Sequence, residues 1–181
     1  MKHYAFVSSL LLGGIVALAY PGALRGYETG SPNDIAAEVQ HVLQKLPFYM
    51  VFDHIGFQLN NGTVTLIGQV TRPSLKADME NAVRPLKGVR QVLNEIQVLP
   101  DSEGDQKLRL AEYLAIYGDP DLSQYSPLPT PAIHIVVSSA HVTLEGSVLN
   151  DADKIEAFTR ASSVPGVTSL TNHLQIAPAT D

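Results

Sequence analysis

The sequence contains two copies of one pattern, separated by a constant offset of 78 residues. The first copy runs from Ile55 to Val70 and the second from Ile133 to Val148. The offset superimposes identical residues, which are Val64, Thr65, Leu66, Gly68 and Val70 on Val142, Thr143, Leu144, Gly146 and Val148. Further along, it aligns Gly88-Val89 with Gly166-Val167 and Asn94 with Asn172. A gapless match over about forty positions predicts two copies of one folding unit.

The repeated residues are of structural rather than catalytic types: glycines, aliphatic residues, threonine and one asparagine. The sequence has no Gly-x-Ser-x-Gly nucleophile elbow. Asn61-Gly62 is not a phosphate loop, because no Gly-rich junction between a strand and a helix follows it. The sequence therefore predicts a protein that is not an enzyme and uses no cofactor.

A β-hairpin is predicted in the first copy. Ile55, Phe57 and Leu59 alternate with polar residues, as in a half-buried strand. Asn61-Gly62 favours a two-residue turn, since both residues tolerate positive φ. This turn sets a register in which Leu59 faces Val64, Phe57 faces Leu66 and Ile55 faces Gly68. The apolar side chains then share one face, so turn chemistry and pattern agree.

Helices are predicted on both sides of this hairpin. Ser31-Pro32 has the form of a helix start, and an apolar stripe follows from Ile35 to Leu46. A second helix begins at Pro73 and ends before Gly88, and a third strand spans 89–99. The first domain is therefore predicted at residues 31–99, with the order α-β-β-α-β.

The second domain is predicted at residues 105–177 with the same order. Its first helix presents an apolar face formed by Leu108, Ala111, Leu114 and Ile116. The hairpin turn Ser139-Ala140 is a poorer turn sequence than Asn-Gly, so it is expected to be looser. The predicted fold class is α+β: two tandem sandwiches, each with a three-stranded mixed sheet covered on one face by two helices.

The N-terminus predicts export. Residues 1–23 contain one lysine, an apolar run and small residues near Ala19, as in a secretory signal peptide; an uncleaved membrane anchor is the alternative. The chain has no cysteine, so it has no site for lipoprotein acylation, a disulfide or a thiolate metal site. A net charge of −6 argues against nucleic acid as a partner.

These residues resemble the BON domain family, which is named for bacterial osmotically inducible and nodulation proteins. The resemblance rests on the hairpin 61–68 and the segment 88–94, and on 142–146 and 166–172 in the second copy. It implies a periplasmic or envelope protein without catalysis, linked to phospholipid binding, envelope integrity and osmotic-stress protection. A soluble periplasmic stress or chaperone-like protein without lipid affinity is one alternative. A structural protein-interaction module is the other.

One segment is a candidate lipid or partner patch on its composition, namely Phe48, Tyr49, Met50 and Phe52. Grouped aromatic residues and Met could form an exposed apolar surface for a phospholipid membrane or an envelope protein. The alternative is that they close the end of a small core between a helix and a strand.

No metal site is predicted. His134 and Glu145 face each other across the second hairpin, on the side away from its core, and are expected to be an exposed cross-strand pair. Asp101, Glu103, Asp105 and Glu112 fall at offsets that resemble a calcium loop. However, Gln106 stands where that loop needs glycine, so a linker followed by a helix cap is the better interpretation.

Overall fold

The computed structural model describes residues 31–126 and 131–178. The predicted signal segment, 1–23, lies outside the described residues. Within them the chain forms two successive α-β-β-α-β units, so the α+β prediction is confirmed. None of the helices in the described ranges combines the length and hydropathy that crossing a membrane requires.

The first unit contains two helices and four strand segments. They are α1 (Pro32–Gln44), β1 (His54–Asn60), β2 (Thr63–Val70), α2 (Pro73–Val83), β3 (Gln91–Asn94) and β4 (Gln97–Val98). Ser31 caps α1: its hydroxyl accepts a hydrogen bond from the Asp34 amide at 3.3 Å, and the Asp34 carboxylate accepts one from the Ser31 amide at 3.0 Å. The predicted helix start is therefore confirmed.

The second unit repeats this order with a short 3₁₀ turn, Ser123–Tyr125, added after its first helix. Its elements are α3 (Glu103–Tyr117), β5 (Ile133–Ser138), β6 (His141–Val148), α4 (Asp151–Ser162), β7 (Ser169–Asn172) and β8 (Gln175–Ile176).

Each sheet is mixed and has the second hairpin strand at its centre. β2 is antiparallel to β1 and parallel to β3 and β4, and β6 has the same relation to β5, β7 and β8. The predicted hairpin registers are confirmed in both units, with Phe57 opposite Leu66 and Ile135 opposite Leu144.

The third strand of each unit is broken in two at the repeated asparagine. The Asn94 amide nitrogen donates to the carbonyl oxygen of Lys76 at 2.8 Å, and its side-chain oxygen accepts from the Ile96 amide at 3.3 Å. Asn172 makes the equivalent bonds with Lys154 and with Leu174, both at 3.1 Å. This asparagine therefore ties the strand to the helix above it, which accounts for its presence in both copies.

The repeated glycine of the central strand permits a close backbone approach. A Cβ atom at Gly68 would lie 2.2 Å from the carbonyl oxygen of His54, and one at Gly146 would lie 2.1 Å from that of Ala132. Both glycines also have positive φ, 131° and 109°. A side chain at either position would therefore force the hairpin strands apart.

The second hairpin turn is better held than its sequence suggests. Ser139 and Ala140 have φ of 52° and 63°, the left-handed geometry that Asn61 and Gly62 adopt in the first hairpin. The Asp105 carboxylate of α3 accepts hydrogen bonds from the amides of Ser139 at 2.8 Å and Ala140 at 2.9 Å. The expectation of a looser turn did not include this carboxylate, which stabilises an otherwise unfavourable turn sequence.

Each unit has its own apolar core between the sheet and the two helices. Val39, Leu66 and Met79 are buried in the first core, and Ile116 and Leu144 in the second. The predicted apolar face of α3 is partly wrong, because Leu114 is 61% exposed. The buried face of α3 instead includes three charged residues, Asp105, Arg109 and Glu112.

Candidate functional site

The four candidate patch residues lie in residues 47–53, which form most of the segment that joins α1 to β1. Two of their side chains face solvent, and the other two pack against the apolar cores. Phe48 and Met50 lie on the surface, with 60% and 47% of their area exposed. Tyr49 packs against the first core, whereas Phe52 packs against the core of the second unit. We call residues 47–53 the connecting segment. It presents an apolar tip, Phe48 and Met50, and packs the partly buried Tyr49 and Phe52 against the two cores.

Phe48 adopts an unusual backbone conformation at this tip. Its φ is 69°, in the left-handed region that a bulky residue seldom occupies. The guanidinium carbon of Arg72 lies 4.8 Å from the centre of its ring, which is within the range of a cation–π contact. The conformation directs a large aromatic ring outward and places a positive charge on one of its faces.

A buried carboxylate fixes the tip from below. Asp53 is fully buried and accepts hydrogen bonds from the Thr71 amide at 2.6 Å and the Thr71 hydroxyl at 2.8 Å. Its second oxygen accepts a hydrogen bond from the Met50 amide at 3.0 Å. Asp53 therefore ties Met50 to the end of β2, so the tip is ordered before any partner arrives.

The connecting segment also joins the two units. Val51 is buried within the core of the second unit, and its carbonyl oxygen accepts a hydrogen bond from the Ile135 amide at 2.7 Å. The Phe52 ring meets the Tyr113 ring edge to face, with 6.3 Å between the ring centres. The second core therefore includes residues contributed by the first unit.

Together, α3 and the connecting segment cover the outer edge of β5. Arg109 donates from Nη2 to the carbonyl oxygen of Val137 at 2.8 Å, and the Tyr117 hydroxyl donates to that of Ile133. The Ile135 amide between them donates to Val51. These bonds satisfy backbone groups that an uncovered edge strand would present to other chains.

Glu112 lies on the same face of α3 and is the most unusual buried group of the second unit. Its side chain is 0% exposed, and neither carboxylate oxygen has a hydrogen-bond partner among the described residues. Burial raises the pKa of Glu112 from 4.5 to about 7. This carboxyl group therefore titrates near neutral pH.

Histidines from both units meet beside this junction. The predicted register of His134 opposite Glu145 is confirmed, but the expectation of an exposed pair is wrong, because His134 is only 6% exposed. The Tyr49 ring stacks on His134 at 5.3 Å between ring centres, and the His54 ring lies 5.6 Å away. The first unit thus covers the outer face of β5, which the sequence pattern assigned to solvent.

Glu145 lies between His54 and a third histidine, His173. Its carboxylate oxygens are 2.8 Å from Nδ1 of His173 and 3.7 Å from Nε2 of His54. Burial lowers the pKa of His54, while the charge of Glu145 acts in the opposite direction. Burial also lowers the pKa of His134 to about 4, helped by the nearby His54. Both imidazoles are therefore neutral at pH 7.

The other sequence candidates take structural positions. Ser102 caps α3 by accepting from the Asp105 amide at 3.1 Å, which fits the interpretation of a linker followed by a helix cap. Within 31–126 and 131–178, no group of three or more His, Asp or Glu residues is placed to hold a metal ion. A cleft of about 300 Å³ lies between the units, and its lining includes His54, Glu95 and Glu145.

The two units differ in charge. Residues 31–99 contain six Lys and Arg against six Asp and Glu, whereas residues 100–178 contain four against ten. The exposed tip therefore belongs to a unit without net charge, and the acidity of the protein is concentrated in the second unit. An anionic surface would repel the second unit more strongly than the first.

Comparisons with known proteins identify the unit that is repeated. The sequence model of the BON domain family matches residues 32–100 and 121–178, which together are more than half of the chain. The comparison with curated proteins found no match.

Among solved structures, one of CdsD, a structural protein of the type III secretion system of Chlamydia trachomatis, aligns at 17% identity and a TM-score of 0.29. That alignment covers 81% of this chain and 93% of that chain. A structure of the C-terminal domain of CdsD aligns at 18% identity and a TM-score of 0.28, over 80% and 98%. TM-scores this low give no information about function. The family match and the duplicated α-β-β-α-β unit show that the chain belongs to the BON domain family, with two BON domains in tandem.

Proposed function

We propose that this protein is a non-enzymatic component of the bacterial envelope that binds phospholipid membranes through the tip formed by Phe48 and Met50. One observation carries the proposal: two large apolar side chains are exposed on a segment that is fixed from below by Asp53. Membership of the BON family supports a location in the periplasm or envelope and a contribution to envelope integrity or osmotic-stress protection.

The chemistry of the tip suits the interface between headgroups and acyl chains. Phe48 and Met50 would enter the apolar region, while Arg72, which lies over the Phe48 ring, remains near lipid phosphates. Because Asp53 already orders the segment, binding costs little conformational entropy. The first unit carries no net charge, so a phosphatidylglycerol surface would not repel it as it would repel the second unit.

The expected contribution of the tip follows from its exposure. Complete burial of a Phe or Met side chain contributes about 1.5–3 kcal/mol. Roughly half of each side chain remains to be buried, so the two together contribute about 2 kcal/mol, or about a 30-fold difference in affinity.

Flotation with phosphatidylglycerol vesicles tests the proposal. The full chain is expected to float with the vesicles, and a Phe48→Ser/Met50→Ser variant is expected to bind about 30-fold more weakly. A Leu110→Ser/Leu114→Ser variant is the matched control, since it also removes two exposed apolar side chains but from the acidic unit. Failure of the wild-type chain to float at low and moderate salt would refute the proposal, and so would equal binding by the tip variant.

A second candidate function, binding of a protein partner, rests on a different surface. Leu110 and Leu114 are both exposed and lie one turn apart on α3, within the unit that carries ten acidic residues. An apolar surface with acidic surroundings suits a basic protein partner better than an anionic membrane. If this surface is the functional one, Leu110→Ser/Leu114→Ser abolishes pull-down of an envelope protein, and the tip variant retains it.

A further inference from the structure

The contact between the two units contains two histidines whose Nδ1 atoms are buried. His54 begins β1 of the first unit, and His134 lies on β5 of the second. Nδ1 of each imidazole is buried and has no hydrogen-bond partner within the described ranges. A proton added to either ring would therefore place a positive charge in the contact, with the other ring as an immediate neighbour.

The groups that face these two rings come from several elements. Tyr49 and Asp53 belong to the connecting segment, Glu95 joins β3 to β4, and Glu145 lies on β6. His173, between β7 and β8, is hydrogen-bonded to Glu145. Farther away on α3, Arg109 lies within electrostatic reach of Asp53.

Neither Asp53 nor Glu145 is placed to stabilise a charged His134. Both oxygens of Asp53 are occupied by Thr71 and Met50. Glu145 is shared between His173 and His54. The backbone carbonyls of Asp53 and Met50 favour the protonated form of His134 but do not offset its burial. A charged His134 is therefore accommodated better in water than in the contact.

We propose that the contact between the two BON domains is a pH-sensitive latch, which is closed when His54 and His134 are neutral and opens when the surroundings become acidic. Opening separates Tyr49 from His134 and withdraws Val51 from the second core. This frees the Ile135 amide on the outer edge of β5 and exposes the part of the second core that Val51 and Phe52 cover, while Arg109 and Tyr117 of α3 stay bonded to the same edge.

The direction of the pH effect follows from the two states of His134. Its pKa is about 4 in the closed contact, whereas a solvent-exposed histidine titrates near 6.5. Closing therefore releases a proton between these values, and the latch loses stability as the pH falls below about 6.5. Between pH 7.5 and 4.5 the opening equilibrium constant rises on the order of 100-fold from His134 alone.

Pulsed electron paramagnetic resonance on the full chain can measure the opening. The sequence has no cysteine, so Asp78→Cys on α2 and Thr159→Cys on α4 give one exposed label site in each unit. A single narrow distance is expected at pH 7.5, and a longer, broad distribution at pH 4.5, with unchanged far-ultraviolet circular dichroism. An unchanged distance down to pH 4.5, or a change that occurs only together with loss of helix, would overturn the proposal.

Substitutions in the contact separate the latch from general acid sensitivity. His134→Phe keeps a ring beneath Tyr49 and is expected to open much less than the wild type at pH 4.5, because only His54 can then take up a proton. Glu145→Gln removes the charge that favours protonated His54 in the closed state, so opening should begin at a higher pH. His41→Gln, at an exposed histidine of α1, is the matched control and should open as the wild type does. If His134→Phe does not fold, the His54→Gln and Glu145→Gln variants test the proposal instead. If both open with the same pH dependence as the wild type, the proposal is wrong.

Discussion

The buried carboxyl group of Glu112 should make the stability of this protein fall as the pH rises. A group whose folded-state pKa is raised favours the folded state when protonated, and that preference is lost as the pH passes the folded pKa. For Glu112 the pKa rises from 4.5 to about 7, which corresponds to about 3 kcal/mol when the carboxyl group is fully ionised. About 1.4 kcal/mol of this loss develops between pH 6 and 8.5.

Replacement of Glu112 by Gln tests this reasoning, because the amide has nearly the same shape and does not ionise. We expect the free energy of unfolding of Glu112→Gln to exceed that of the wild type increasingly as the pH rises from 6 to 8.5, by about 1.4 kcal/mol over that range. Urea unfolding followed by circular dichroism at several pH values measures the difference. Restriction to pH 6 and above avoids most of the pH range in which the histidine latch loses stability.

Glu103→Gln is the matched control, since Glu103 is an exposed glutamate of the same helix, paired with Lys107. Its unfolding free energy should differ from that of the wild type by an amount that does not vary with pH. A constant difference for Glu112→Gln as well would show that Glu112 is ionised throughout, and the assignment of its raised pKa to unpaired burial would be wrong.

Three further predictions concern stability. Asp105→Ala should cost about 2–3 kcal/mol, measured by urea unfolding, because it removes two charge-assisted hydrogen bonds from a turn of non-glycine residues with positive φ; a cost below 0.5 kcal/mol would contradict the role of this carboxylate. Val51→Ala should destabilise the second unit by about 1–3 kcal/mol, detected by faster amide exchange in β5 and β6; a loss confined to the first unit would show that Val51 does not belong to the second core. Phe48→Gly should leave the thermal midpoint unchanged or raise it, because glycine adopts a φ of 69° freely. The expected stabilisation is at most about 1 kcal/mol. A clear loss of stability would show that the Phe48 ring contributes packing contacts to the folded state.

Much of the fold could be predicted because the information is local and occurs twice. The offset of 78 residues identified the repeated unit, and Asn61-Gly62 fixed a register that the alternating apolar residues supported independently. The second hairpin shows the limit of this approach. Ser139-Ala140 is a weak turn sequence, and its stabilising partner, Asp105, is distant in the sequence and belongs to another element.

The helix α3 shows why burial could not be predicted completely. A search for apolar periodicity selects Leu114 and passes over Glu112, yet the glutamate is buried and the leucine is exposed. This face of α3 covers the edge of β5, where backbone carbonyls need donors, and Arg109 and Tyr117 supply them. Glu112 lies on the same face and is therefore buried with them, although it donates to none of these carbonyls.

The composition of the connecting segment indicates a candidate patch, but it does not indicate which of the four side chains face solvent and which pack against a core. Phe48, Tyr49, Met50 and Phe52 are all large and apolar or aromatic, so the sequence gives no reason to separate them. The structure separates them because the first unit packs on the outer face of β5, and that same contact buries His134. Contacts between two domains leave little trace in the periodicity of either one.

The most direct test of the proposed function is to measure whether the tip enters the bilayer. A nitroxide label at Met50→Cys, compared with one at Leu114→Cys, reports immersion through its relative accessibility to oxygen and to a water-soluble nickel complex. With phosphatidylglycerol vesicles, we predict that the Met50 label gains accessibility to oxygen and loses accessibility to nickel, while the Leu114 label remains aqueous. Immersion of the Leu114 label with the Met50 label in water, or no immersion of either, would contradict membrane binding through the tip.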